Sequence, residues 1–359
     1  MEIKIGYFIS PHGFGHAARA AAIMESLNSL NKNIEFEIFT LVPPWFFINS
    51  GISNFNYHEL LTDIGLVQKS ALQEDLQETI VKLDDFIPFD DSLIDSISKK
   101  LVESDCKLVI CDISPLGLEI AKRANIRSVL IENFTWDWIY SQYNYEDITL
   151  NGHIDYLNNI YNSAGYRIKT KPICFESSSN LLTNPVSRKS KTDRSETRKA
   201  LQVSEDQKVV MITMGGIPSE YDFFDKLKQK NDITFIIPGG SDKFEINDNL
   251  VLIPHMSDFF HPDLINASDA VIGKVGYSTL AEVYNSGVPF GYILRPQFPE
   301  SEPLHKFILE EMNGIEISDD EFYSRKWLNY LDNLISLPRI NRTEDDGADQ
   351  AANFIYNLL

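Results

Sequence analysis

Two histidines bracket a glycine-rich turn near the start of the chain, in the segment PHGFGH that ends at His16. The alanine-rich segment that follows predicts a helix from His16 to Leu30, which places the imidazole at the positive end of a helix dipole. This position disfavours the imidazolium ion and keeps the ring neutral, as a general base requires. His16 is therefore a candidate catalytic base, and a histidine that only caps its own helix is the plain alternative. The same turn supplies candidate substrate contacts at His12, Gly13, Gly15 and Arg19.

A second candidate site follows the apolar run Ala270–Ile272. The segment from Ser278 to Tyr284 predicts a helix, and the amide groups at its start could hold a diphosphate. Glu282 lies one turn inside and could accept hydrogen bonds from a ribose. The alternative is a capping box from Thr279 to Glu282, which needs no ligand. The candidate residues here are Lys274, Gly276, Tyr277, Ser278, Thr279 and Glu282.

Two further groups of polar residues follow predicted strands. Asp112 ends the strand Lys107–Cys111, where open α/β sheets bind ligands, although an aspartate there also commonly starts a helix. The segment ENFTWDWIY from Glu132 interleaves aromatic and polar residues, and sugar rings stack on such surfaces. On one helix Asn133 and Asp137 would share a face, and Trp136 is a candidate stacking surface. The alternative is a capped helix whose aromatic residues belong to the core.

The order of elements predicts two domains, each with a parallel sheet. A strand, a glycine turn and a helix open the chain, and the strand Lys208–Thr213 with Gly215 and Gly216 starts a second such unit. We expect an N-terminal domain at 1–186, a C-terminal domain at 187–345, and a closing helix within 346–359 that packs back on the first. A polar run from Pro185 to Arg194 predicts the linker.

Gly13 to Ala18 also satisfies the G-x-G-x-x-A fingerprint of dinucleotide-binding proteins. That interpretation requires an acidic residue at the end of the second strand, to bind the ribose hydroxyls. The predicted second strand ends in Thr40, Leu41, Val42 and Pro43 instead. The sequence therefore favours another ligand for this turn.

Four separated segments carry a resemblance to a known family: HGFGHAAR, ENFTWDWIY, GKVGYSTLAE and PESEPLHKFILE. They are similar, in the same order, to the glycosyltransferase-like N-terminal domain of plant L-arabinokinases. More distantly, Gly276 through Thr279 to Glu282, with Pro289 further on, resembles the donor half of GT-B glycosyltransferases such as the cell-wall N-acetylglucosaminyltransferase. The sugar-kinase region of the arabinokinases has no counterpart before Leu359, so we expect no sugar phosphorylation.

The resemblance implies an α/β protein of the GT-B type, with two facing Rossmann-like domains and a cleft between them. It implies transfer of a hexosyl or pentosyl group from a nucleotide diphosphate sugar, with a UDP-sugar as the expected donor, to an unknown acceptor, which the negative charge of the chain predicts to be soluble. His16 matches the histidine that closes the glycine-rich loop of the cell-wall enzyme and would act as base, with Asp112 or Asp137 as orienting partners or alternative bases. His255 and Met256 would contact the nucleotide base, and Glu302, in a predicted acidic loop, would contact the donor sugar.

Other reactions fit the same residues. In a nucleotide-sugar hydrolase water would replace the acceptor, and an epimerase would need no acceptor. A non-catalytic module would only bind the sugar nucleotide. The sequence contains no D-x-D pair of the kind that holds a divalent ion on a diphosphate, so we expect no metal and no other cofactor.

Composition narrows the partners and the compartment. The formal net charge of -20 argues against a nucleic-acid or anionic-membrane surface. No apolar run approaches the roughly 20 residues that span a bilayer, and the first residues predict a strand and no signal peptide. The three cysteines lack metal-ligand spacing, which is typical of free thiols in a reducing compartment. We expect a cytoplasmic protein.

Overall fold

The computed structural model describes residues 2–70, 73–143, 150–214 and 223–359. The chain divides into two compact units. Unit 1 comprises Met1–Ser187 and Asp345–Leu359, and unit 2 comprises Arg188–Glu344.

The strands of the described residues are numbered in chain order. They are β1 (Ile3–Ile9), β2 (Ile34–Thr40), β3 (Phe55–Glu59), β4 (Gln68–Ser70), β5 (Gln73–Glu74), β6 (Cys106–Asp112), β7 (Ser128–Glu132), β8 (Tyr166–Thr170), β9 (Leu181–Thr183), β10 (Lys208–Thr213), β11 (Ile233–Pro238), β12 (Glu245–Asn247), β13 (Leu250–Ile253), β14 (Ala270–Lys274), β15 (Phe290–Ile293) and β16 (Gly314–Glu316).

The helices of the same residues are numbered likewise, and a 3-10 helix covers Lys326–Asn329. They are α1 (Gly15–Leu30), α2 (Pro44–Asn49), α3 (Leu76–Phe86), α4 (Asp91–Glu103), α5 (Pro115–Ala124), α6 (Trp136–Ser141), α7 (Asn151–Tyr161), α8 (Arg194–Ala200), α9 (Phe224–Lys228), α10 (His261–Ala267), α11 (Tyr277–Ser286), α12 (Ser301–Glu311), α13 (Asp319–Ser324), α14 (Leu331–Ser336) and α15 (Gly347–Tyr356).

Unit 1 is built on a parallel sheet whose order, within its described residues, is β3-β2-β1-β6-β7-β8-β9. Apolar side chains cover both faces of its central strands, as parallel sheets require. The alanines of α1 are small enough to let that helix lie close to the sheet, and α15 packs beside them through Ala348, Ala351, Ala352 and Ile355. The order reverses direction between β1 and β6, and ligands bind at such switch points in open α/β sheets.

Unit 2 repeats the arrangement with the order β12-β13-β11-β10-β14-β15-β16 in the part that the structure describes. All neighbouring strands are parallel except β12, which pairs antiparallel with β13. Its switch point lies between β10 and β14. Gly273 on β14 is required by the fold, because a Cβ there would lie 2.3 Å from the carbonyl oxygen of Thr213 on β10.

The secondary structure differs from the predictions in several places. The predicted acidic loop around Glu302 is the first turn of α12, because Pro303 occupies a first-turn position that tolerates proline and Leu304 and Ile308 then anchor the helix. Asn133 precedes α6, so it cannot share a helical face with Asp137. The helix α7, which Leu157, Ile160 and Tyr161 anchor, was not predicted. No helix in the described ranges is long and apolar enough to cross a membrane.

Candidate functional site

The first site lies at the carboxyl ends of β1 and β6. Ile9 and Asp112 are paired in the parallel register, and the amide of Ser10 donates to the carbonyl of Asp112 over 3.2 Å. The chain turns from β1 into α1, which begins at Gly15, while Asp112 is the last residue of β6. His16 and Asp112 are thus brought together by strand pairing.

His16 and Asp112 form a buried pair. Nδ1 of His16 lies 2.9 Å from Oδ1 of Asp112, and the carboxylate is fully buried. An ionised carboxylate only accepts hydrogen bonds, so Nδ1 carries the proton and Nε2 keeps its lone pair. This tautomer is the one that a general base needs, and the predicted orienting role of Asp112 is consistent with it.

Arg19 donates hydrogen bonds to the aspartate of this pair. Its Nε donates to Oδ2 of Asp112 over 2.8 Å and its Nη2 donates to Oδ1 over 2.7 Å, while Nη1 donates to Asn133 over 2.8 Å. The side chain is 1% exposed. Arg19, predicted as a substrate contact, thus pairs with a buried acid of the same unit. Asn133 is held as its partner.

The charges of this group are set by burial and by Arg19. Burial alone raises the pKa of Asp112, but the Arg19 guanidinium and the hydrogen bond from His16 outweigh it and hold the pKa below its usual range. Burial lowers the pKa of His16, the Asp112 carboxylate opposes that shift in part, and Arg19 adds to it. The structure therefore holds an ionised aspartate beside a neutral histidine at neutral pH.

The aromatic segment after β7 forms a wall beside this pair. The ring of Trp136 is 5.2 Å from that of His12 and 6.5 Å from that of His16, and it is almost fully buried. Asp137 instead accepts from Asn158 on α7 over 2.9 Å. Gly13 adopts a positive φ of 73°, with open space where a Cβ would lie, so the turn does need a glycine there. Trp136 is a support for the histidines and is too buried to stack on a sugar in this structure.

The second site is the start of α11 in unit 2. Gly276 is the N-cap and has no side chain, so the first amide groups of the helix, from Tyr277 to Thr279, have no side-chain cap from it. A Cβ on Gly276 would meet no atom within 4 Å, so space is open at this helix start. Lys274 lies two residues earlier, at the end of β14. These groups can bind an anion.

Glu282 is held by two basic residues that the sequence analysis did not single out. Its Oε1 accepts from Nε and Nη2 of Arg188 over 3.0 and 2.9 Å, and its Oε2 lies 2.6 Å from Nδ1 of His261. Burial alone raises the pKa of Glu282, but Arg188 and His261 outweigh it and hold the pKa below its usual value. The capping-box interpretation is wrong, because the helix starts at Tyr277 and Thr279 is not its N-cap.

The remaining candidates of unit 2 are dispersed. His255 and Met256 are exposed after β13, and the His255 ring lies over Gly239, where a Cβ would come within 2.6 Å of it. Glu302 lines a cavity of about 580 Å³ formed by α12 and the loops after β15 and β16. The expected contacts at Gly215 and Gly216 lie outside the described residues.

Arg188 and His261 could not be found by spacing alone. Arg188 is 94 residues from Glu282, and His261 is 21 residues away on a separate helix, α10. No local pattern marks either residue, since Arg188 lies in the predicted linker and His261 follows two phenylalanines.

Comparison with known proteins supports the fold. No family model matches the chain. The L-arabinokinase of Arabidopsis thaliana is 27% identical over 99% of this chain, and the chain spans about a third (34%) of the length of that curated relative. Among solved structures, the calicheamicin glycosyltransferase CalG4 superposes with a TM-score of 0.66 at 13% identity, covering 100% of this chain and 98% of the other.

A UDP-glucosyltransferase from Polygonum tinctorium superposes with a TM-score of 0.63 at 12% identity, again covering 100% and 98% of the two chains. The chain has the GT-B fold. At such low identity the likeness establishes the architecture, and the chemistry has to be argued from the residues of this chain.

Proposed function

We propose that the protein is a metal-independent glycosyltransferase that moves a hexosyl or pentosyl group from a nucleotide diphosphate sugar, in the first place a UDP-sugar, to a soluble acceptor. The observation that carries the proposal is the buried group of His16, Asp112 and Arg19 at the switch point of unit 1. A histidine that only capped its helix would not need an ionised aspartate held by a buried arginine.

The unit 1 group supplies a general base. Nε2 of His16 takes the proton of an acceptor hydroxyl as its oxygen bonds to the anomeric carbon of the donor. The ring then carries a positive charge, and Asp112, 2.9 Å from Nδ1, stabilises it. Arg19 keeps Asp112 ionised, so Asp112 orients the ring and does not take the proton itself.

The unit 2 group supplies the donor site. As the bond from the anomeric carbon to the diphosphate breaks, its electron pair stays with the nucleotide diphosphate, whose charge the helix-start amides and Lys274 stabilise. Glu282 binds the ribose, but through few of its acceptor positions. Three of the roughly four lone-pair positions of its carboxylate are used by Arg188 and His261, which leaves room for about one hydroxyl.

The remaining candidate residues keep the roles that the resemblance implies. Glu302 lines the cavity beside α12 and contacts the donor sugar, while His255 and Met256 contact the nucleotide base. His12, Gly13 and Gly15 shape the turn that receives the acceptor. Asp137, bonded to Asn158, is the remaining alternative base.

The test uses a panel of UDP-hexoses and UDP-pentoses with a mixture of small hydroxyl acceptors, and follows UDP release and glycoside formation. We expect His16→Gln to lower turnover by about a hundredfold to ten-thousandfold while leaving UDP affinity unchanged. His153→Gln is the matched control, because His153 also lies 2.9 Å from an aspartate, Asp84, but on an exposed part of unit 1. A chelator should leave the wild-type rate unchanged.

The outcomes separate the alternatives. UDP release with free sugar as the only product would indicate hydrolysis, and a change of the sugar without UDP release would indicate epimerisation. Tight binding of UDP-sugars without turnover would indicate a binding module. Unchanged turnover in His16→Gln would remove His16 as the base.

A further inference from the structure

The loop that follows β3 reaches the His16 side of unit 1. Ser10, directly after β1, donates its hydroxyl to Oδ1 of Asp63 over 2.9 Å, and the amide of His12 lies 3.4 Å from the same Ser10 hydroxyl. Gly65 packs directly against His12, since a Cβ there would lie 2.7 Å from Nδ1 of the ring. Asp63 is 2% exposed. This loop therefore supports the turn that leads into α1.

Only one oxygen of the Asp63 carboxyl group, Oδ1, has a hydrogen-bond partner among the described residues. Its Oδ2 is buried and has no hydrogen-bond partner within the described ranges, and the same holds for the indole N–H of Trp136. Burial raises the pKa of Asp63 to about 7, although Ser10 and Trp136 both act to lower it. A buried carboxyl oxygen without a partner costs stability.

Trp136 and Tyr140 connect the loop of Asp63 to the base. The Trp136 ring lies against both histidines and is stacked on Tyr140, with ring centroids 6.0 Å apart. Tyr140 in turn donates its hydroxyl to the carbonyl of Gly65 over 2.7 Å, in the same loop as Asp63. The loop thus contacts the aromatic segment through Tyr140 and the turn before α1 through Gly65 and His12.

We propose that Asp63 is a positioning residue for His16: through Ser10 it fixes the turn after β1, and it anchors the loop that holds Tyr140 and, stacked on it, the Trp136 ring beside the base. Asp63 is too buried to touch an acceptor, so it acts through these neighbours. The catalytic part of this inference rests on the proposed function of His16.

The first test compares Asp63→Asn and Ser10→Ala with Glu37→Gln, each checked for folding by circular dichroism. Glu37 is the matched control, because it is also a buried carboxyl group of unit 1 but bonds His58 and Asn56 away from the base. With the UDP-sugar that the wild type consumes, we expect turnover to fall about tenfold to a hundredfold in the first two variants, at unchanged KM for the donor, since small misplacements of a catalytic group cost this much. Wild-type turnover in Asp63→Asn and Ser10→Ala, or an equal loss in Glu37→Gln, would overturn the proposal.

The second test does not depend on turnover. The tryptophan emission of the wild type, after subtraction of the Trp136→Phe spectrum, should change with pH around a midpoint near 7, where Asp63 titrates. This transition should be absent in Asp63→Asn and present in Glu37→Gln. If it persists in Asp63→Asn, it belongs to the histidines and Asp63 does not act on Trp136. If the wild type consumes no sugar nucleotide, the proposed function fails. The emission measurement alone then decides whether Asp63 acts on Trp136.

Discussion

Replacing Arg19 by methionine tests whether the buried ion pair of Arg19 and Asp112 stabilises the His16 site. Methionine approximates the length of the arginine stem and removes the guanidinium that donates twice to Asp112 and once to Asn133. Both charged partners are almost fully buried, so the change leaves the Asp112 carboxylate in the interior without its counter-charge. Breaking a buried pair in this way typically costs about 3 to 5 kcal/mol of the free energy of unfolding.

The loss of unfolding free energy should appear in unit 1 alone. For a unit of this size, 1 kcal/mol moves the melting temperature by about 2 to 4 °C, so unit 1 should melt roughly 6 to 20 °C lower. Differential scanning calorimetry would follow the transition, and a transition of unit 2 should stay in place. Arg123→Met is the control, since Arg123 is an exposed arginine of unit 1 paired with Asp91 and Asp95 and should change the melting temperature little.

The difference in melting temperature between the wild type and Arg19→Met should also depend on pH. In the wild type the pKa of Asp112 is depressed, so its stabilisation is present above the unfolded pKa, near 4, and is lost as pH falls through the lower folded value. Without Arg19, burial raises that pKa, and the penalty is relieved as pH falls through the raised value. The difference in melting temperature should therefore shrink between pH 7 and about pH 4. A difference that is small, or that does not change with pH, would refute the buried-pair reasoning.

Three further predictions follow from the two sites. The rate of glycosyl transfer should fall on the acid side with a midpoint below pH 6.5, because burial lowers the pKa of His16, and a pH–rate profile of kcat/KM measures it. Glu282→Ala should weaken UDP binding by about 1 to 3 kcal/mol in calorimetry, the range for losing a hydrogen bond to a charged group. Gly273→Ala should destabilise unit 2 by about 1 to 3 kcal/mol through overpacking against Thr213 in thermal melts, while Gly276→Ala should cost about 1 kcal/mol or less.

Each of these has a contradicting outcome. An acid midpoint above pH 6.5 would mean that Asp112 dominates the titration of His16. Unchanged UDP affinity in Glu282→Ala, with a lowered melting temperature, would make the contacts with Arg188 and His261 purely structural. Equal stability of the two glycine variants would show that β10 and β14 can separate without cost.

The strands and helices that carry the sites could be predicted from local sequence. The apolar runs of β1 and β10 end in polar or glycine-rich turns, and the structure begins and ends both strands at the predicted residues, Ile3–Ile9 and Lys208–Thr213. Strands buried on both faces leave this signal because most of their side chains must be apolar. The helix at Glu302 was missed because a proline-rich acidic segment resembles a loop, although proline fits a first helical turn.

The partners of the candidate residues could not be predicted in the same way. The sequence alone determined that His16 lies in the first turn of a helix after a glycine turn, that Asp112 ends a strand and that Glu282 lies one turn inside a helix, because each follows from neighbours a few residues away. Only the tertiary structure decided that Arg19 bonds Asp112, 93 residues on, and that Glu282 is held by Arg188 and His261. The physical reason is the sheet order: β6 pairs with β1 although two strands of the same sheet lie between them in the chain, and that pairing sets which strand ends share a site.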